Sequence, residues 1–175
     1  MAAPTIAFSR AGSPMPEYWL DSDTFIESSK RFYHPDIVPG FWTFLQQKGE
    51  ETIIASCLRV YEELQYLQDE LSKWAAELYD TGFFVAPDAR VQAALSEIAD
   101  HVKNNYPDHN ASKFLDGADP WVIAHAKVHG GRVVTFETQV PPTSRKPKIP
   151  NVADRFGVRT VDVYRLLREL GASFG

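Results

Sequence analysis

Cysteine is almost absent: Cys57 stands alone among 175 residues. No disulfide can form within the chain, and zinc sites built on two or four thiolates are excluded. Such usage suits a reducing cytoplasm, the expected location. The sequence also lacks an apolar run of bilayer-spanning length, so no membrane partner is expected. Residues 1–16, MAAPTIAFSRAGSPMP, have neither the charged start nor the long apolar centre of a secretory leader. They read as a loose extension ahead of one domain, 17–175, because the length suits one full core rather than two. No internal repeat is visible. His34, His101, His109, His125 and His129 show no H-E-x-x-H spacing, and no Ser-His-Asp grouping is visible; surface or helix-cap positions are expected for them. Positive charge is scarce too. A net charge of -5 argues against a general nucleic-acid binder. The deficit is uneven, with nine Lys/Arg against three Asp/Glu from Lys127 to Arg168, which makes that segment +6 and the rest -11.

What is present is an alternation of short apolar runs with helical patterns. Tyr18–Leu20 reads as a buried strand, and DTFIESSKRFY begins a helix that Pro35 and Pro39 interrupt before GFWTFLQQKGEE starts another. TIIAS (52–56) is a second strand. From Arg59 to Tyr79 apolar residues recur three or four apart and predict one continuous helix, closed by Gly82. FFVAP is a brief extended piece, and Pro87 and Asp88 announce a helix over DARVQAALSEIADHVKNNY. Another helix starts at Pro120 and stops at Gly130 and Gly131. RVVTFE is a strand, Gln139–Pro150 an irregular proline-rich loop, NVADRFG a helix, VRTVDV a strand and YRLLRELG a final helix. The aromatics at 19, 42, 44, 74 and 121 are assigned to the core. Strands alternating with helices predict an α/β domain with a central parallel sheet between two helical layers.

In such a sheet ligands bind beyond the carboxyl ends of the strands, where Asp21 and Glu137 both fall. The stretch EYWLDSDTFIE therefore has two readings, a turn or helix cap and an acidic site. The spacing of DSD matches the opening of haloacid-dehalogenase phosphatases, but the later motifs are out of order. The acidic pair Asp116 and Asp119 precedes Thr135, and Phe25 stands where a threonine is wanted. Asp116 reads as a turn residue. Read instead as a metal ligand, Asp21 asks for further carboxylates at strand ends or helix starts. Glu62 and Glu63 begin one helix, Asp119 another, and Glu137 follows Thr135 by two. Neighbouring helical residues point about 100° apart, so only one of Glu62 and Glu63 can face Asp21.

With these residues in order, the chain from about Tyr18 to Phe174 resembles the PIN-domain ribonuclease family, in particular a PIN-like branch of formerly unknown function, and the VapC-like toxins. YWLDSDTFIE is similar to the family's opening strand and Asp-Ser/Thr, Glu63-Leu64 to its Glu-Leu pair, DPWVIA to its third acid at Asp119, and TFE to its closing T-x-D, with Glu137 in place of Asp. HPDIVPGFW, ELSKWA and KIPNVADRFGVRT resemble the PIN-like branch specifically. The resemblance implies a PIN-like three-layer α/β/α fold and catalytic acids Asp21, Glu63, Asp119 and Glu137. Glu62 is the fallback for Glu63, Ser22 and Thr135 are supporting hydroxyls, and Asp23 is a further acid where Asn is usual. It also implies an RNA substrate, a cognate antitoxin protein as partner and the toxin role of a toxin–antitoxin pair; a homodimer is an open alternative.

Carboxylates brought within a few ångströms repel one another unless a cation lies between them or some bind protons. A hard, oxygen-loving ion, Mg²⁺ or Mn²⁺, is the expected occupant, with Asp21, Asp119 and Glu137 as its ligands. Phosphodiester hydrolysis is the expected reaction, needing no covalent intermediate. Arg145, Lys146 and Lys148 of SRKPK are the candidates for RNA phosphate contacts, which position a strand without reading its bases.

Overall fold

In the computed structural model, which describes residues 14–174, the strand Tyr18–Leu20 (β1) is buried along its whole length. The expected extension 1–16 lies outside the described residues up to residue 13. Pro16 at its end is already buried, so the packed domain begins before residue 17. After β1 come α1 (Ser22–Glu27), α2 (Pro39–Glu50), β2 (Ile54–Cys57), α3 (Leu58–Gln65), α4 (Glu70–Glu77), β3 (Phe84–Val85) and α5 (Ala89–Asn105). Then follow α6 (Asp108–Asp116), α7 (Asp119–His129), β4 (Arg132–Val134), α8 (Ile149–Arg155), β5 (Thr160–Val161) and α9 (Val163–Glu169).

The five strands form one all-parallel sheet in the order β3-β2-β1-β4-β5. Parallel strands covered on both faces read as continuous apolar runs, which is why YWL carries no alternation. α7 lies against β1, β2 and β4 and bears α5, α6 and α8. α2 and α3 pack on β2, with α1 and α4 against α3, which completes the α/β/α layering. The chain builds outward from β1 through β2 to β3, then returns to add β4 on the other side of β1. Strand order therefore reverses between β1 and β4, the place where open α/β sheets bind ligands.

Several expected elements differ in extent. The helix expected over 59–79 is two helices, because Gln68 takes a left-handed φ of 52° and Asp69 opens α4 with a capping box to Ser72. The second strand starts at Ile54, since Thr52 also has a positive φ, 60°. RVVTFE is strand only to Val134, because the Thr135 hydroxyl accepts the Glu137 N–H at 3.1 Å and turns the chain. VRTVDV is strand only at Thr160 and Val161, for Asp162 caps α9 by accepting the Arg165 N–H at 2.7 Å. α6 carries no expected counterpart. Trp19 and Trp42 are core, whereas Phe44, Trp74 and Trp121 are half-buried against it.

His125 overturns the surface or cap position expected of the histidines. It is fully buried on α7, its ring 4.9 Å from that of Trp19, and neither ring nitrogen has a partner among the described residues. Burial pushes its pKa down to about 3, so it packs as a neutral ring. The same region explains the glycine pair after α7. Gly130 has φ 80° and closes the helix, while a Cβ on Gly131 would lie 2.6 Å from the buried Trp19 ring. Gly131→Ala should therefore cost about 1–3 kcal/mol by overpacking. In a thermal melt that is a drop of roughly 2–4 °C per kcal/mol for a chain of this size. An unchanged melting temperature would mean that Trp19 has room to move.

Candidate functional site

The register pairs Leu20 with Val134, so Asp21 and Thr135 leave adjacent strands side by side at the reversal of strand order. The Asp21 N–H extends the ladder to the Val134 carbonyl at 3.1 Å. With extended backbone angles Asp21 is also the N-cap of α1, its Oδ1 accepting the Thr24 N–H at 2.7 Å. The Thr24 hydroxyl donates to the Val134 carbonyl at 2.9 Å and ties the start of α1 to β4. Asp21 is 1% exposed. The cap reading and the acidic-site reading of DSD thus describe the same carboxylate.

The other acids arrive from three helices and a loop. Glu63, half-buried on α3, accepts the Ser22 hydroxyl on Oε2 and the Ala118 N–H at 2.8 Å on Oε1. Ala118 is the N-cap of α7, so Glu63 satisfies a free N–H at a positive helix end and holds Asp119, the first residue of α7, in the same neighbourhood. Glu62 is exposed and pairs with Arg59 at 2.8 Å. Of the two glutamates, Glu63 is the one in the cluster. Glu137 lies beyond β4 with both oxygens engaged, Oε1 by Lys148 Nζ at 2.9 Å and Oε2 by the Ile149 N–H at 2.7 Å. Asp23 is exposed at the rim of the cluster.

The electrostatics record their proximity. Burial first, and then the charges of Asp21, Glu137, Glu63 and Asp23, push the Asp119 carboxyl up to about 8. Burial likewise lifts Asp21 to about 7, against hydrogen bonds from Thr135 and Thr24 that favour the ionised form. Asp23 is raised, first by desolvation and then by Glu137. Among the described residues no three acid, imidazole or thiol groups stand in a ready-made ligand array. The donor chemistry nevertheless fits a hard divalent cation at Asp21 and Asp119, one buried and one half-buried carboxyl that repel each other and gain from any cation between them. Glu137 can join through its remaining lone pairs, since a carboxylate has about four acceptor positions. Glu63 braces the site.

The residues expected to meet phosphate divide. Arg145 and Lys146 are exposed, whereas Lys148 points into the acids through its ion pair with Glu137. Asn110 of α6 donates to the Arg145 carbonyl at 2.8 Å, and Asn151 bonds Val140 from both sides, so the basic loop is anchored at two places. Asp116 ends α6, and its carbonyl accepts from Arg59. A groove of about 810 Å³ is lined by Thr135, Phe136 and Glu137 together with Arg159 and Tyr164. It touches the cluster at one side only. Sequence reasoning missed Thr24, although a backbone N–H three residues after Asp21 is the usual partner of a capping carboxylate. It also missed the pairing of Lys148, for which no local signal exists.

The raised acids make stability depend on pH. Their unfolded value is 3.8, and their folded values are about 7 for Asp21 and about 8 for Asp119. The folded chain therefore holds more protons between those limits, and stability falls as pH rises from about 4 to 8. In chelator, Asp119→Asn should flatten that decline and stabilise the protein at pH 8 by about 1 kcal/mol or more, the equivalent of one pKa unit. Melting curves from pH 5 to 8 measure it; a wild-type slope retained in the variant would return Asp119 to an ordinary carboxyl.

No curated protein and no solved structure matches the chain. Residues 18–174 match the model of a family described as Domain of unknown function (DUF4411), and the chain belongs to that family.

Proposed function

We propose that this chain is a PIN-like, metal-dependent ribonuclease that hydrolyses RNA phosphodiester bonds. The observation that carries the reading is the placing of buried Asp21 and half-buried Asp119 together at the carboxyl ends of a parallel sheet, at the reversal of strand order, with Glu63 and Glu137 beside them. Asp21 and Asp119 are the side chains that would hold Mg²⁺ or Mn²⁺, with Glu137 as the third. Such an ion supplies a more acidic water at neutral pH and offsets charge gathering on the transferring phosphoryl oxygens. Thr135 and the Thr24 N–H keep Asp21 oriented, and Glu63, held by Ser22, keeps the start of α7 in place. The groove lined by Thr135 and Glu137 is the path for a single strand, with Arg145 and Lys146 on the neighbouring loop as phosphate contacts.

The toxin role, a cognate antitoxin and a cytoplasmic setting belong to the same proposal and rest on the resemblance to PIN-domain toxins. Among the described residues no helix is long and apolar enough to cross a membrane. A second reading, a non-catalytic PIN-like module that binds protein or RNA, is favoured by one observation. Glu63 and Glu137 are each satisfied on both oxygens by their own chain.

Cleavage of a labelled single-stranded RNA separates the two. Wild type should cut in Mn²⁺ and stop in chelator, Asp119→Asn should lose at least about 100-fold, roughly 2.7 kcal/mol of barrier, and Glu62→Gln should match wild type. Expressed without its antitoxin, wild type should slow growth where Asp119→Asn does not. Absence of metal-dependent cleavage by wild type on every RNA tried would leave the non-catalytic module.

The loop has its own test. Replacing Arg145 and Lys146 by Ala should weaken binding of unrelated RNAs in Ca²⁺ by a similar factor. It should also reduce the slope of log K against log salt by roughly 0.7 per lost contact. Equal affinity and slope in the variant would make the loop a connector only.

A further inference from the structure

Lys148 stands where the acidic cluster calls for positive charge, and its place is built rather than incidental. Its Nζ lies 2.9 Å from Glu137 Oε1, while Glu137 Oε2 accepts the Ile149 N–H at 2.7 Å. One carboxylate thus grips both the side chain of Lys148 and the backbone of its neighbour. Pro147, Ile149 and Pro150 are buried on either side, which fixes the extended backbone at Lys148, and the Asn151–Val140 pair closes the loop behind it. The side chain retains 38% exposure, so the ammonium lies across the mouth of the cluster rather than beneath it.

Its charge reaches more than one acid. Beyond its ion pair with Glu137, the ammonium is within charge range of Asp119 and Asp23. Arg59, the cation on the far side, is committed to Glu62 and the Asp116 carbonyl. Two-ion nucleases set their metals about 3.5–4 Å apart, so that both the attacking and the leaving oxygens are neutralised. Here an ammonium already engages Glu137 Oε1, and a like charge brought to that separation is repelled strongly in a partly buried site.

We propose that Lys148 is a resident cation in the place of a second metal, so that the site takes one divalent ion and the ammonium supplies the other positive charge to a bound phosphodiester. This deepens the metal-dependent reading of the site and rests on it. Lys148 thereby differs from Arg145 and Lys146, which meet phosphate from outside the cluster.

Mn²⁺ titration, with free Mn²⁺ followed by electron paramagnetic resonance, reads the stoichiometry without reference to activity. Wild type and Lys148→Arg should bind one Mn²⁺ per chain. Lys148→Met and Lys148→Gln should bind two, because Glu137 Oε1 is then free and the repelling charge is gone. Two methods of removing the charge guard against a folding defect in either variant, and melting curves identify the variant to use. Two ions in wild type, or one ion in a folded variant without the charge, would overturn the role of Lys148 and leave the metal-dependent reading intact. No Mn²⁺ bound by wild type would overturn both.

Discussion

The reversal of strand order between β1 and β4 governs the rest of the molecule. β1 is flanked by β2 on one side and β4 on the other, both parallel to it, and the chain reaches β4 only after β3 and the helices α5, α6 and α7 that follow it. The strands are short, three residues each for β1 and β4, so their register is set by buried partners rather than by length. Trp19, Leu20, Val133 and Val134 are all fully buried, and a slip of one residue would turn core side chains to the other face. That register places Asp21 beside Thr135. It also leaves a crevice beyond the carboxyl ends, because the connections from β1 and β4 depart to different helices.

Burying carboxylates in such a crevice is unfavourable unless each finds a donor or a cation. The fold meets this requirement unevenly. Asp21 caps α1, Glu63 holds the N-terminus of α7, and Glu137 takes the first N–H of α8 together with Lys148. Each of these acids is therefore part of the scaffold, and Asp21 and Asp119 bear the residual desolvation as raised pKa values. Structural and chemical roles coincide because helix N-termini stabilise anions and also present them at one end of a parallel sheet.

Lys148 and the basic loop connect this site to the excess of positive charge in the last third of the chain. The loop is irregular yet anchored through Asn110 and Asn151, so its cations have a defined relation to the acids. An otherwise acidic protein thus carries cations beside its acidic cluster, an arrangement suited to a polyanion approaching carboxylates that would repel it.

Much of the fold was legible in local pattern. YWL as a buried strand, the helix announced by Asp88, and the helix between Pro120 and Gly130 follow from periodicity and caps, and their alternation determined a parallel α/β sheet. The break at Gln68 was legible too, through the Asp69–Ser72 capping box, but apolar spacing running on to Leu78 masked it. For the site, the sequence by itself put Asp21, Asp119 and Glu137 at strand ends and a helix start and required that only one of Glu62 and Glu63 turn inward, but it set those two at the front of a helix, whereas they stand in the second half of α3. The resemblance favoured Glu63, and the tertiary structure gives it partners 41 and 55 residues away at Ser22 and Ala118. Tertiary structure alone decided that His125 is a core ring and that Lys148 joins the acids. Local patterning encodes which face of an element is apolar; a polar side chain takes its direction from hydrogen-bond partners that become neighbours only when the sheet is assembled.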